Sequence, residues 1–471
     1  MTSLLNKNNC SAFVIALLLL TAECSEEPMQ TEGLETAGTK GRITGHLKQT
    51  KTYSSDVVKQ WLNVQTSMLF VQAGNPFGLN SPRYMAYCGV AAYESVVPGM
   101  PEYQSLHGQL TDMPEMPSTE PGTTYHWPSA SHGALATMTK KFFSTTSAWN
   151  EQAVMNLENE LNDALSTEAG DAVFEKSVAF GQEVAERIFE WSKTDNAGWP
   201  STPYQLPEPF PGMWQPETPG GPIGFPYWGY NRLMVPGSID NTISPPPPPY
   251  STEAESDYYA LYNEVYQVSQ NLTSEQRLIA KYYNDVNPGY PAGAHYISIL
   301  KQVIEQFNPA LDKAAVTYAK TGISLFDATT GSFKGKFTYL NERPFQYIRS
   351  VIAPSPDPAD QWKPLIGTPP FPDFPSNHAV FSASVAYALN TLYGSETPFS
   401  NHTYEGVMSN LGNGEVVNLG TRHYASFDAM SQEISISRLY GGIHMRYAVE
   451  EGMQQGRKTA MNVDVKLKFL K

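Results

Sequence analysis

The chain has 471 residues, of which 41% are hydrophobic, 12% aromatic and 16% charged, a mix that builds a core and excludes an intrinsically disordered chain. With 31 Lys and Arg against 46 Asp and Glu, the net charge of −15 lacks the basic footprint of a general nucleic-acid binder. It leaves room for a small buried basic pocket.

At the N-terminus, Lys7 and the apolar residues 12–20 read as the charged and hydrophobic regions of an export signal. The apolar run is about half of what spans a bilayer. Cys24, followed by Ser25, Glu26 and Glu27, is similar to a bacterial lipoprotein acceptor. Residues 1–24 are therefore expected to be a signal peptide, ending in lipidation at Cys24 or in simple secretion, and 25–51 a flexible tether. The expected location is periplasmic, extracellular or lipid-anchored. No later stretch approaches 18 apolar residues, so any membrane contact is expected through Cys24 alone. Of the three cysteines, only Cys88 lies clear of the signal, which excludes a disulfide framework and a thiolate metal site.

Helical patterns follow over 52–199. Ser81-Pro82 is a helix start whose run reaches about Val97. Phe174, Val178, Ala185 and Ile188 line one face of a helix from Asp171 to Trp191. Between Pro200 and Pro249 the chain carries 15 of its 37 prolines, interleaved with Trp199, Phe210, Trp214, Phe225, Tyr227 and Trp228. Linkers rarely carry so many large aromatics, so 200–250 is expected to be an ordered wrapping segment. The remainder, 251–471, is expected to be a second helical bundle. Thr273 and Gln276 form a capping box. Asn308-Pro309 reads as a helix start and Gly322 as that helix's stop. Val463, Val465, Leu467 and Phe469 alternate with polar residues and predict a minor C-terminal strand.

Three segments of this last part carry chemistry: Lys336-x6-Arg343-Pro344, then Pro375-Ser376-Asn377-His378, then Ser437-Arg438-x5-His444. Three cations suit a compact oxyanion, Arg as a planar fork and Lys as a point charge. Ser376 precedes an apolar helical pattern and is a plausible N-cap, where free N–H groups and the helix dipole favour an anion. His378 sits in that first turn, and His444 lies just past the Gly441-Gly442 break. One imidazole can serve as nucleophile or metal ligand and the other as general acid or base. Taken singly, each residue has a blander use: Arg438 as an ion-pair partner of Glu433, for example.

In order and spacing, the trio resembles the signature of the vanadium-dependent haloperoxidase and type 2 phosphatidic acid phosphatase superfamily: Lys-x6-Arg-Pro, Pro-Ser-Gly-His, and Ser-Arg-x5-His-x3-Asp. Trp362-Lys363-Pro364 through Pro372 and Ser426-Phe427 through Glu433 are also similar to that family. Upstream, RYMAYCGVAAYESVVP from Arg83 and NDVNPGYPAGAH from Asn284 resemble its long bacterial haloperoxidase-like branch. The resemblance implies an all-α fold of the haloperoxidase/acid phosphatase type and a vanadate cofactor. It implies that Lys336, Arg343 and Arg438 neutralise the vanadate oxygens, and that Ser376 and the N–H of Asn377 hydrogen-bond them. His444 would be the vanadium ligand and His378 the acid–base residue for peroxide. Phe371 matches a position near the halide, and His423 is a candidate for supporting the site. His295 is expected only to start a helix.

This chain departs from the signature twice, with Asn377 in place of Gly and Ala448 in place of the Asp thought to orient the histidine. Three readings follow. The first is a haloperoxidase acting on hydrogen peroxide and a halide, iodide or bromide favoured, with an unspecified organic acceptor. The second is a secreted phosphatase in which His444 attacks phosphorus and His378 protonates the leaving group. The third is an inactive oxyanion-binding lipoprotein. An oligomer is compatible with each.

Overall fold

The computed structural model describes residues 48–70, 80–143, 148–196, 203–285 and 289–471. The expected signal peptide, Cys24 and nearly all of the tether lie outside the described residues, as do Trp199 and Pro200. Five helices make up the N-terminal half: α1 (Asp56–Leu69), α2 (Ser81–Glu94), α3 (Trp127–Phe142), α4 (Ala148–Ala169) and α5 (Asp171–Ser192). Eight follow the Pro-rich segment: α6 (Asp257–Gln270), α7 (Ser274–Tyr282), α8 (His295–Phe307), α9 (Leu311–Tyr339), α10 (Pro344–Tyr347), α11 (Asn377–Tyr393), α12 (Phe427–Tyr440) and α13 (Arg446–Lys466). Strands β1 (Phe399–Asn401), β2 (Met408–Asn410), β3 (Val416–Asn418) and β4 (Arg422–Tyr424) form two antiparallel ribbons, β1 with β4 and β2 with β3. The fold is thus all-α with minor strands. Among the described residues, no helix is long and apolar enough to cross a membrane.

Local signals place several boundaries. α2 starts on Ser81-Pro82, as expected, but ends at Glu94; Pro98, which has no N–H to donate, lies in a short 3-10 turn at Val97–Gly99. The Thr273–Gln276 capping box opens α7 with both reciprocal bonds made.

Three expectations fail. Asn308 does not start a helix. It closes α8 in the left-handed conformation (φ 41°, ψ 52°), and α9 begins at Leu311. Nor does Gly322 stop α9, which runs on to Tyr339. A Cβ on Gly322 would lie 2.6 Å from the Met85 carbonyl oxygen, and one on Gly89 would lie 2.7 Å from that of Tyr318. These two glycines let the backbones of α2 and α9 touch, so their use is close packing rather than termination. The C-terminal alternation also has another origin. α13 continues through Val463 and Val465, and the strand expected there shrinks to a bridge between Leu470 and Tyr103. Val463 and Leu467 are four apart and both buried, while Val465 is 62% exposed, which is the pattern of one helix face carried to the helix end.

One hydrophobic core runs through both halves, from Tyr53 and Trp61 to Leu467 and Phe469. The Pro-rich segment is ordered against it. Trp214 and Trp228 are buried, whereas Phe210 is exposed. The Trp214 N–H donates to the Leu340 carbonyl at 2.6 Å, and Gly224 donates to Pro370 at 2.6 Å. The carboxylate of Asp327, in the middle of α9, accepts the N–H groups of Met234 (2.7 Å) and Val235 (3.0 Å). The segment therefore braces both α9 and the stretch leading to Ser376.

Candidate active site

Three chain breaks meet at one end of the C-terminal bundle. Lys336 sits in the last turn of α9, and Leu340, in the left-handed conformation (φ 48°), turns the chain toward Arg343 and α10. Ser376 is the N-cap of α11. Arg438 ends α12, and Gly442 (φ 77°) turns the chain to His444 ahead of α13. α13 presses on the start of α11: the Ser376 N–H donates to the Ala448 carbonyl at 2.9 Å, and a Cβ on Gly452 would lie 2.9 Å from the Ser376 oxygen. The small residues at 448 and 452, four apart on one helix face, allow that approach.

Lys336, Arg343, Ser376, Asn377, His378, Arg438 and His444 are all buried, none more than 8% exposed. Lys336 Nζ donates to the carbonyls of Pro372 (2.8 Å), Asp373 (2.9 Å) and Pro375 (2.5 Å). Arg343 Nε donates to the Phe371 carbonyl at 2.8 Å, and its Nη1 to that of Ile443 at 2.9 Å. The Phe371 ring lies 5.2 Å from both Lys336 Nζ and the Arg343 guanidinium carbon, so it covers the two cations. Arg438 Nη1 donates to the Tyr283 carbonyl. It does not pair with Glu433, whose carboxylate is taken by Arg422 and Tyr424.

Burial and the neighbouring cation lower the Lys336 pKa well below its usual value. Burial, despite the pull of Asp373, lowers Arg343 to about 10. Several buried polar groups have no partner: Ser376 Oγ, Asn377 Nδ2, Arg343 Nη2 and Arg438 Nε. Buried donors of this kind are rare, and four of them on the motif residues mark a place prepared for an acceptor-rich anion. Among the described residues, no group of three His, Cys, Asp or Glu side chains gathers as a cation site.

The tautomer of His444 follows from its neighbours. Arg343 Nη1 lies 3.1 Å from Nε2, and a guanidinium can only donate, so Nε2 carries the lone pair and Nδ1 the proton. Nδ1 faces the carboxylate of Asp373 in a close contact that lies off hydrogen-bond geometry. Burial, then Arg343, Lys336 and Arg438, pushes His444 well below the usual imidazole range, so the ring is neutral. Asp373 is fully buried and 3.8 Å from Arg343 Nη1; burial pushes its pKa up to about 7 against the pull of Arg343 and Lys336. Asp373 thus stands beside Nδ1 of the imidazole. Ala448 only lends its carbonyl to Ser376, and Glu450 contacts Arg446 instead.

His378 Nε2 donates to Asp285 Oδ2 at 2.8 Å, leaving Nδ1 as its free acceptor. Asp285 also receives His295 Nδ1 at 2.8 Å and the Tyr404 hydroxyl at 3.0 Å. Burial alone would raise its pKa, but His295 and His378 hold it well below the usual carboxylate range. His378 is lowered to about 4 by burial and Arg438, against the opposing pull of Asp285. Asp285→Asn is therefore expected to move the His378 midpoint below about 4, because the carboxylate favours the protonated ring. Histidine-ring NMR reads this directly, and an unmoved midpoint would remove Asp285 as its partner.

The motif residues come together as the sequence suggested, with Phe371 beside them. His295 starts α8, as expected, and is also tied to His378 through Asp285. His423 does not reach the site. It is exposed on β4 and bonds Ser400 of β1 at 2.8 Å, because strand alternation turns Tyr424 inward and His423 outward. Asp373 and Asp285 escaped the sequence reading. Asp285 lies inside the segment from Asn284 that resembles the family, and Asp373 lies between the segment ending at Pro372 and the motif starting at Pro375.

Residues 316–470, which hold every motif residue, match the family model of the VCPO second helical-bundle domain. No curated protein matches the chain. Among solved structures, it is similar to the first bacterial vanadium-dependent iodoperoxidase, with a TM-score of 0.76 and 29% identity over 89% of this chain and 97% of that one. It shares the fold of a bacterial vanadium-dependent chloroperoxidase in its apo form, with a TM-score of 0.60 and 16% identity over 82% of this chain and 94% of that one. The holo form of such an enzyme gives 0.59 and 16% over 91% and 94%. Over residues 316–470 the chain carries the VCPO second helical-bundle domain, and over most of its length it has the fold of the bacterial vanadium-dependent haloperoxidases.

Proposed function

We propose that the chain is a vanadate-dependent haloperoxidase that oxidises iodide or bromide with hydrogen peroxide to the hypohalous acid. The observation that carries this reading is His444: a neutral imidazole whose Nε2 lone pair lies among three buried cations. Lys336, Arg343 and Arg438 would neutralise the oxygens of vanadate, and Ser376 Oγ and the Asn377 N–H would hydrogen-bond them. His444 Nε2 would ligate vanadium. Once bound, vanadate supplies the electrophilic centre that activates peroxide toward halide. His378, neutral above about pH 4, would take up at Nδ1 a proton released by peroxide and return it later in the cycle. Phe371 helps to keep water from the cations. The likeness to an iodoperoxidase at 29% identity supports iodide among the halides.

One observation favours a second reading. Asp373 also equips His444 as a nucleophile, so hydrolysis of a phosphate ester through a phosphohistidine is the alternative. The test is to assay the mature protein after dialysis with vanadate for peroxide-dependent iodide and bromide oxidation, beside phosphate-ester hydrolysis in vanadate-free buffer. Halide oxidation that requires vanadate and disappears in His444→Ala is the expected result. Hydrolysis alone would reverse the order of the two readings. Export through residues 1–24 belongs to the same proposal, and the mass of the mature N-terminal peptide tests it.

A further inference from the structure

Asn377 occupies the glycine of the Pro-Ser-Gly-His signature, and the backbone does not need a glycine there. Asn377 is the first residue of α11, and it is not among the residues of positive φ. Its side chain is 3% exposed and has a defined partner: Oδ1 accepts from Ser332 Oγ at 2.6 Å. Ser332 is itself fully buried on α9, four residues before Lys336 and so on the same helix face. α9 and the segment before α11 are closely packed here, since a Cβ on Gly335 would lie 3.2 Å from the Pro375 ring. The bond to Ser332 engages the acceptor end of the amide. Its donor end, Nδ2, is left buried and without a partner, as is the Oγ of the preceding residue, Ser376. A buried amide donor is unfavourable unless an acceptor arrives, and the residues on either side of Asn377, Ser376 and His378, both belong to the oxyanion motif.

We propose that the Asn377 side-chain amide, held by Ser332, is an additional hydrogen-bond donor to the bound oxyanion, one that a glycine in this position does not provide. This deepens the proposed function and rests on its oxyanion site. The opposing idea is that the Asn side chain crowds the cradle and weakens binding, and the two differ in sign.

The test is the dissociation constant for vanadate, and separately for inorganic phosphate. Both are measured by titration calorimetry on the full mature chain stripped of bound anions, with thermal melts to confirm folding. Asn377→Gly is expected to weaken vanadate binding about tenfold, the loss of one hydrogen bond to a charged acceptor. Ser332→Ala, which frees the amide, is expected to weaken it about threefold, with phosphate following the same order. Tighter or unchanged binding in Asn377→Gly overturns the proposal. If that variant does not fold, Asn377→Ala and Ser332→Ala carry the same comparison, and unchanged affinity in both overturns it. A parent chain that binds vanadate but oxidises no halide removes the haloperoxidase reading and leaves this inference standing or falling on the affinities. A parent that binds neither anion removes both.

Discussion

Asp373→Ala is expected to weaken vanadate binding by about 10–100-fold and to lower halide oxidation at least as much, the usual cost of losing a partner that orients a metal-ligating histidine. Asp373 is fully buried and faces His444 Nδ1, while Arg343 faces Nε2. The two together hold the ring so that its lone pair points toward the cations. With Ala at 373, Nδ1 loses the carboxylate beside it in a buried site, and the ring is free to turn over or to change tautomer. Asp373→Asn separates orientation from charge, because it keeps a side-chain oxygen beside Nδ1 without the negative charge. Recovery of most of the vanadate affinity in Asn over Ala means that position matters more than charge. Equal affinity in Asp373→Ala and the parent, measured by vanadate titration, would show that His444 is held some other way.

Arg438→Ala is expected to lower vanadate-dependent turnover by about 10²–10³-fold, the scale on which a preorganised donor to a developing anion acts. The guanidinium is 1% exposed, donates through Nη1 to the Tyr283 carbonyl and keeps Nε without a partner. Its charge also contributes to holding His378 and His444 neutral. Arg438→Lys should recover little, since an ammonium offers one point of attachment where the fork offers several. The assay is steady-state iodide oxidation at saturating vanadate. A loss under threefold would place Arg438 outside the anion's reach.

Much of the site was legible in the sequence because its parts are local motifs at helix ends. Ser376 before an apolar helical run, and Arg438 ahead of the Gly441-Gly442 break, carry their structural meaning in a few neighbouring residues. The partners that set the two imidazoles were less legible. Asp373 and His444 are 71 residues apart, and Asp285 and His378 are 93 apart. Neither pair shares an element or a periodicity, so only the packed fold joins them. At position 448, where the signature has Asp, α13 needs a small residue against Ser376, and the carboxylate beside His444 Nδ1 comes from Asp373. At the level of fold, Gly322 and the tail around Val463 were misread for one reason. A glycine that lets α2 approach α9 looks like a helix stop, and two buried positions four apart at a helix end look like strand alternation when the intervening residues happen to be polar. His423 shows the converse: it was a candidate for supporting the site, and the strand turned it to solvent.

The central claim is that His444 Nε2 is the group that holds vanadate within a cradle of three cations. The most direct measurement is a crystal structure of the mature protein soaked with vanadate, with vanadium located by its anomalous signal. The account predicts vanadium at bonding distance from His444 Nε2, with its oxygens on Lys336, Arg343, Arg438 and Ser376. Vanadium bonded to His378 instead, or bound away from these residues, would contradict it.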